Sequence, residues 1–145
     1  MYLEEVRSRH CLAASVATHL SRERAAQMLL AAHQQLIARG LGEPRLVQSD
    51  GGSDFTSNHF QQMYDDIDAW IRCRVAQVGG MGILKRLKRT FKHDDIFRHE
   101  VNTQNELKAL ILLFLKWYNE QRLHSSLGYR RPAMVLAEEA AVILS

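Results

Sequence analysis

Apolar and polar positions change period several times along this chain, and each change predicts an element. Tyr2–Arg7 and His10–Ala17 carry short runs of strand-forming residues around Ser8, which predicts two strands and a tight turn. From Ser21 the spacing becomes helical. Ala25, Met28, Leu29, Ala32 and Leu36 share one face, Ser21 can cap that helix and Gly40 can end it. Arg45–Ser49 reads as a short strand, and Asp50 to Asp54 as a loop by composition. Ser57 can cap a helix with Phe60, Met63, Tyr64 and Ile67 inward, and Trp70–Val75 predicts a further strand. Gly79, Gly80 and Gly82 punctuate the chain before an amphipathic helix over about 83–91. Thr103 and Glu106 stand at capping-box spacing ahead of an apolar stripe of Leu107, Leu110, Ile111, Phe114, Leu115 and Tyr118. Pro132 suits the first turn of a last helix ending near Leu144. Strands alternating with helices in this order predict an α/β domain with a mixed sheet.

Composition narrows the class. The chain has 145 residues, 46% hydrophobic and 24% charged, which predicts one globular domain. Leu110–Leu115 is far too short to cross a bilayer, and the acidic start, Met1 to Glu5, lacks the order of a leader. The expectation is a cytoplasmic protein with no membrane contact. Cys11 and Cys73 have no CxxC partner and read as reduced, buried thiols. The net charge of +3 is concentrated between Gly82 and His99, where Lys85, Arg86, Lys88, Arg89, Lys92 and Arg98 face only Asp94 and Asp95.

Asp50 stands at the tip of the strand Arg45–Ser49, directly before Gly51 and Gly52. Ligand sites in α/β sheets gather at the carboxyl ends of strands, and a carboxylate beside a glycine turn suits a hard cation. The same residues serve equally as an Asx-turn at Asp50 and a helix cap at Asp54. Local chemistry leaves both readings open.

Two longer motifs add a family. Ser49-Asp50-Gly51-Gly52-Ser53-Asp54-Phe55-Thr56-Ser57 resembles the S-D-N-G-S-x-F-T-S segment of retroviral-integrase-like DDE transposases of bacterial insertion sequences. The run from Tyr118 to Pro132 is similar to that family's Y-N-x-x-R-x-H-x-S-L-G-Y-x-x-P motif, in the same order and at about the same spacing. The resemblance implies an RNase H-like fold and Mg²⁺- or Mn²⁺-dependent nicking and joining of DNA ends. Three carboxylates would hold two divalent ions that activate the nucleophile and stabilise the leaving oxygen. It further implies a partial integrase catalytic core over 1–100 and a C-terminal helical tail of the same domain over 101–145.

The residues depart from that pattern in two places. Asp50 matches the second carboxylate. The third is a Glu in the family's G-M-G-I-L-E-R-L-N-R-T segment, and this chain has Lys85 there, within Gly80-Met81-Gly82-Ile83-Leu84-Lys85-Arg86-Leu87-Lys88-Arg89-Thr90. The first carboxylate belongs on a strand before Tyr2–Ala17, so the expectation is an N-terminally truncated core without its first, central strand. That loss would expose strand edges. An ammonium ~4 Å from a unit charge at an effective dielectric of ~20 costs about 4 kcal/mol, and about twice that against a divalent ion. Productive metal binding is therefore not expected.

On the helix after Gly82, Leu84, Leu87 and Phe91 share one face, while Lys85, Lys88, Arg89 and Lys92 share another. The second face reads as a phosphate-tracking stripe or as an ordinary solvated surface. In the tail motif Arg122 and His124 read as DNA contacts or as structural ties, and Tyr118 and Tyr129 as ties holding the tail to the core. The expected function is DNA binding in transposition and DNA integration, catalytically defective. The alternative is a non-catalytic fragment that associates with full-length transposase subunits, through the apolar stripe Leu107–Tyr118, as a homo- or hetero-oligomer. An active enzyme would need a carboxylate from another chain and a substitute for the Glu.

Overall fold

The structure is a computed structural model that describes residues 1–17, 21–42, 47–49, 70–72, 82–94 and 96–145. Asp50, the glycine-rich segment beside it, the helix expected after Ser57, Cys73, Gly79 and Gly80 lie outside the described residues.

Strand β1 (Tyr2–Glu4) pairs antiparallel with β2 (Cys11–Ala14), with a register shift between Leu3 and Glu4. Both strands are shorter than the apolar runs because the turn between them is built from side chains. The Glu5 carboxylate accepts the backbone N–H of Arg7 at 2.9 Å and of Ser8 at 2.6 Å, and Arg9 takes the left-handed conformation at φ 61°. Strand β3 (Val47–Ser49) pairs parallel with β4 (Trp70–Arg72). Both strand directions expected of a mixed sheet are present. Among the described residues they form two separate two-stranded ladders.

Helix α1 (Arg22–Ala38) begins where the Ser21 hydroxyl accepts the Arg24 N–H at 3.2 Å. It ends in a Schellman turn. Gly40 sits at φ 78°, its N–H reaches the Ile37 carbonyl, and Leu41 N–H reaches Leu36. Ala25, Ala26 and Leu29 are buried against Met1, Leu3 and Val47, so α1 contacts residues of both strand pairs. Two alanines at that contact let the helix approach the strands closely.

The main core lies on the other side of β1 and β2. It joins Cys11 to Leu87 and Phe91 of α2 (Gly82–Asp94) and to Ile111, Phe114 and Tyr118 of α3 (Gln104–Glu120). The Phe91 and Phe114 rings meet at 4.8 Å between centroids. The predicted capping box starts α3: the Thr103 hydroxyl accepts the Glu106 N–H, and the Glu106 carboxylate accepts the Thr103 N–H. A short 3-10 turn, Ser125–Leu127, leads through Gly128 at φ 64° into α4 (Pro132–Leu144), whose first helical residue is the buried Pro132. Among the described residues no helix is long and apolar enough to cross a membrane.

Candidate nucleic acid interface

Helix α2 is held by one face. Leu87 is completely buried, and Thr90 and Phe91 are buried beside it. That anchoring turns the opposite face outward. Lys85, Lys88, Arg89 and Lys92 are all exposed along it, over two turns of helix. These four side chains are exposed, with the buried Leu87, Thr90 and Phe91 on the other face of the helix.

Lys85 occupies the position where the resemblance implied a metal-binding Glu, and its side chain faces outward. A protonated ammonium has no lone pair for a divalent ion. Asp50, the other residue of the implied site, is outside the described residues. Among the described residues no group of three or more Asp, Glu, His or Cys side chains is placed to hold a metal ion. At Lys85 of α2 the side chain is therefore not a divalent-ion ligand.

The tail motif is pulled into the core. Asn119 is buried, and its carboxamide grips both polar groups of one residue: Oδ1 accepts the Cys11 N–H at 2.9 Å and Nδ2 donates to the Cys11 carbonyl at 3.0 Å. Tyr118 is also buried and its hydroxyl donates to Glu4 Oε1 at 3.4 Å. Arg122 binds Asp94 at 3.2 Å and lies over the Trp117 ring at 5.3 Å, which fastens the end of α3 to the end of α2. His124 organises the following turn. Its N–H bonds Arg130, its carbonyl accepts from Leu127 and Tyr129, and its ring meets Tyr118 edge-on at 4.9 Å. Tyr129 differs from the expected tie. The residue is 72% exposed and stands at φ 58°, and its backbone N–H makes the connection.

These elements line an open-mouthed cavity of about 380 Å³, bordered by Glu4, Arg9, Arg86, Tyr118, His124 and Ser126 among others. Burial raises the Glu4 carboxyl to about 7, against the pull of Arg9 and the Tyr118 hydrogen bond. Burial also lowers His124 to about 4, helped by the positive charges of Arg122, Arg9 and Arg86. His124 is therefore a neutral ring at ordinary pH. Burial pushes the Cys11 thiol up to about 12, which leaves it an inert core group.

The sequence reading passed over Glu4, Arg9 and Asn119 as site-building residues. Asn119 had left a signal: it follows Ile111 and Leu115 at helical spacing, so a polar amide occupies a core position. Arg9 and Glu4 had left none, because only the turn around Ser8 brings them to the cavity.

Residues 80–132 match the family described as Integrase core domain. The chain is 28% identical over 112 residues to the insertion element IS407 uncharacterized 31.7 kDa protein of Burkholderia multivorans, covering 72% of this chain and 38% of that protein. Its fold is similar, with a TM-score of 0.65, to a chain in a cryo-EM structure of a simian T-cell lymphotropic virus intasome in complex with PP2A regulatory subunit B56 gamma. That match has 16% identity and covers 85% of this chain and 42% of the other. The chain thus spans about two fifths of the length of these relatives. Motifs, family match and fold agree that the chain is similar to integrase-like DDE transposases of insertion sequences, with an α/β fold of the RNase H-like kind.

Proposed function

We propose that this chain, a relative of the integrase cores of insertion sequences, binds duplex DNA through α2 and does not itself carry out metal-dependent strand transfer. The observation that carries the reading is the exposed row Lys85, Lys88, Arg89 and Lys92, held outward by the burial of Leu87 and Phe91. Such a row meets successive phosphates and positions DNA without reading its sequence. The catalytic half of the proposal rests on Lys85. A cation where a metal-binding carboxylate is needed repels the two Mg²⁺ or Mn²⁺ ions that in-line displacement requires. In this reading residues 1–100 form a partial core, and 101–145 form a helical tail of the same domain, joined through Asn119 and Cys11.

Fluorescence anisotropy with short duplex DNA over a salt series tests the binding. About four phosphate contacts give a log–log slope near −3.6, from roughly −0.9 per contact. A flat salt response would remove the proposal. Nicking of supercoiled DNA with Mg²⁺ or Mn²⁺ tests the rest: activity that disappears in Asp50→Ala would show the chain to be an enzyme.

A second reading, a fragment that associates with transposase subunits, finds less support in the stripe Leu107–Tyr118 than expected. Ile111, Phe114 and Tyr118 are used inside the chain's own core. The apolar surface left on α3 is Leu112 and Leu113, each 68% exposed. Co-purification with a full-length transposase, lost in Leu112→Ser/Leu113→Ser, would favour that reading.

A further inference from the structure

The cavity between the β1–β2 turn, α2 and the tail holds an unusual set of unpartnered groups. Glu4 Oε2, Arg9 Nη1 and His124 Nε2 are buried and have no hydrogen-bond partner among the described residues. All three residues line the same cavity. A buried polar atom without a partner costs about 1–3 kcal/mol, and more when charged. Three such costs in the residues of one cavity wall mark a polar surface that the protein does not satisfy by itself.

The charge of the cavity gives the ligand's class. Arg9, Arg86 and Arg122 all line it. All three act on the His124 ring, each disfavouring its proton. Arg122 is already bound to Asp94, so Arg9 and Arg86 carry the positive charge available to a ligand. Ser125 and Ser126 are part of the same wall. We propose that this cavity receives one phosphate group, with Arg9 and Arg86 as charged donors and Ser126 as a neutral one. Guanidinium groups suit this because their planar forks match phosphate oxygens two at a time. About 380 Å³ admits a phosphate with an attached sugar, but not a duplex. The occupant is thus free phosphate or a phosphate of an unpaired strand.

Glu4 tunes the site. Its neighbours are Arg9 and Glu5 from the turn, Cys11 from β2 and Tyr118 from α3, with Arg86 and Arg122 across the cavity. Protonated, it leaves the positive charge of Arg9 and Arg86 unopposed. Ionised, it repels the phosphate.

Calorimetric titration of the full chain tests the assignment, with two probes. Inorganic phosphate reports a free anion, and the thymidine dinucleotide TpT reports a strand diester that does not titrate near neutrality. The expected result is saturable one-to-one binding of at least one probe, weakened about tenfold or more in Arg86→Gln and in Arg9→Gln. Arg86 is exposed on α2, so its variant is expected to keep the fold, checked by circular dichroism. Phosphate binding alone would assign the free anion, and TpT binding would assign a strand. If TpT binds, Glu4→Gln raises its affinity at pH 8 to the level the native chain reaches at pH 6. No binding of either probe, or equal affinity in folded Arg86→Gln, would overturn the proposal. Duplex binding is measured by anisotropy in the same Arg86→Gln and Arg9→Gln variants: probe binding lost with the duplex salt slope kept assigns the cavity alone, so a failure of the duplex-binding stripe and a failure of this cavity are told apart.

Discussion

The Asn119 carboxamide pairs with the backbone of Cys11 as a neighbouring strand would, accepting its N–H and donating to its carbonyl. One side chain on α3 thus satisfies two buried main-chain groups of β2, across 108 residues of sequence. Asn119→Ala removes both bonds and leaves both groups buried and unpaired, which costs roughly 2–6 kcal/mol. The expected outcome is a lower urea midpoint with an unchanged slope. Asn119→Asp keeps only the bond to the Cys11 N–H and places a carboxylate in the core, so it gains little over Ala. A midpoint within error of the native one would show that this docking contributes nothing.

Much of this arrangement was legible in the sequence because it depends on local periodicity. The caps at Ser21 and Thr103, the glycine stop at Gly40, Pro132 at a helix start and the two faces of α2 all follow from spacings of one to four residues. The cavity was not legible. It depends on Arg9 adopting φ 61° in a turn held by the Glu5 carboxylate, and on Tyr118 reaching back to Glu4 across 114 residues. No period records such meetings. The tail motif was readable as a resemblance, but its split into buried Tyr118 and Asn119 and exposed Tyr129 depends on where α3 ends.

Glu4 gives the folded state a pH dependence of definite sign. Its folded value is raised from 4.5 to about 7, so between those limits the folded chain binds more protons than the unfolded one. This contribution is fully present below about 4.5 and is lost as pH rises through about 7. The full span corresponds to roughly 3 kcal/mol, at ~1.4 kcal/mol per unit. His10 and His124, lowered by burial to about 4, act in the opposite sense, with stability falling as pH drops from 6.5 towards 4. Comparing Glu4→Gln with the native chain cancels the histidines. The variant is expected to be more stable at pH 8, and its advantage to shrink steadily towards pH 5. An advantage that does not change with pH would contradict the assignment to Glu4.

Gly128 ends the 3-10 turn at φ 64°, and a Cβ there would meet no atom within 4 Å. The cost of Gly128→Ala is therefore conformational alone, about 1–2 kcal/mol. Asn tolerates this conformation better than Ala, so Gly128→Asn is expected to be the milder change. Thermal unfolding of the two variants checks the order, and equal loss would point to a packing role for the glycine.

The stripe and the core of α2 should separate cleanly on substitution. Lys88 and Arg89 are exposed, so Lys88→Ala/Arg89→Ala is expected to change stability by no more than about 0.5 kcal/mol per site. The pair should still lower the DNA-binding salt slope by about 1.8, from ~0.9 for each lost phosphate contact. Leu87 is wholly buried one position away, and Leu87→Ala should cost about 2–5 kcal/mol. Its salt slope should stay native wherever the chain remains folded, because no phosphate contact is removed. The crossed result, a slope unchanged by the double variant, would mean that the cations of α2 are a solvated face, and duplex binding would have to be sought elsewhere on the chain.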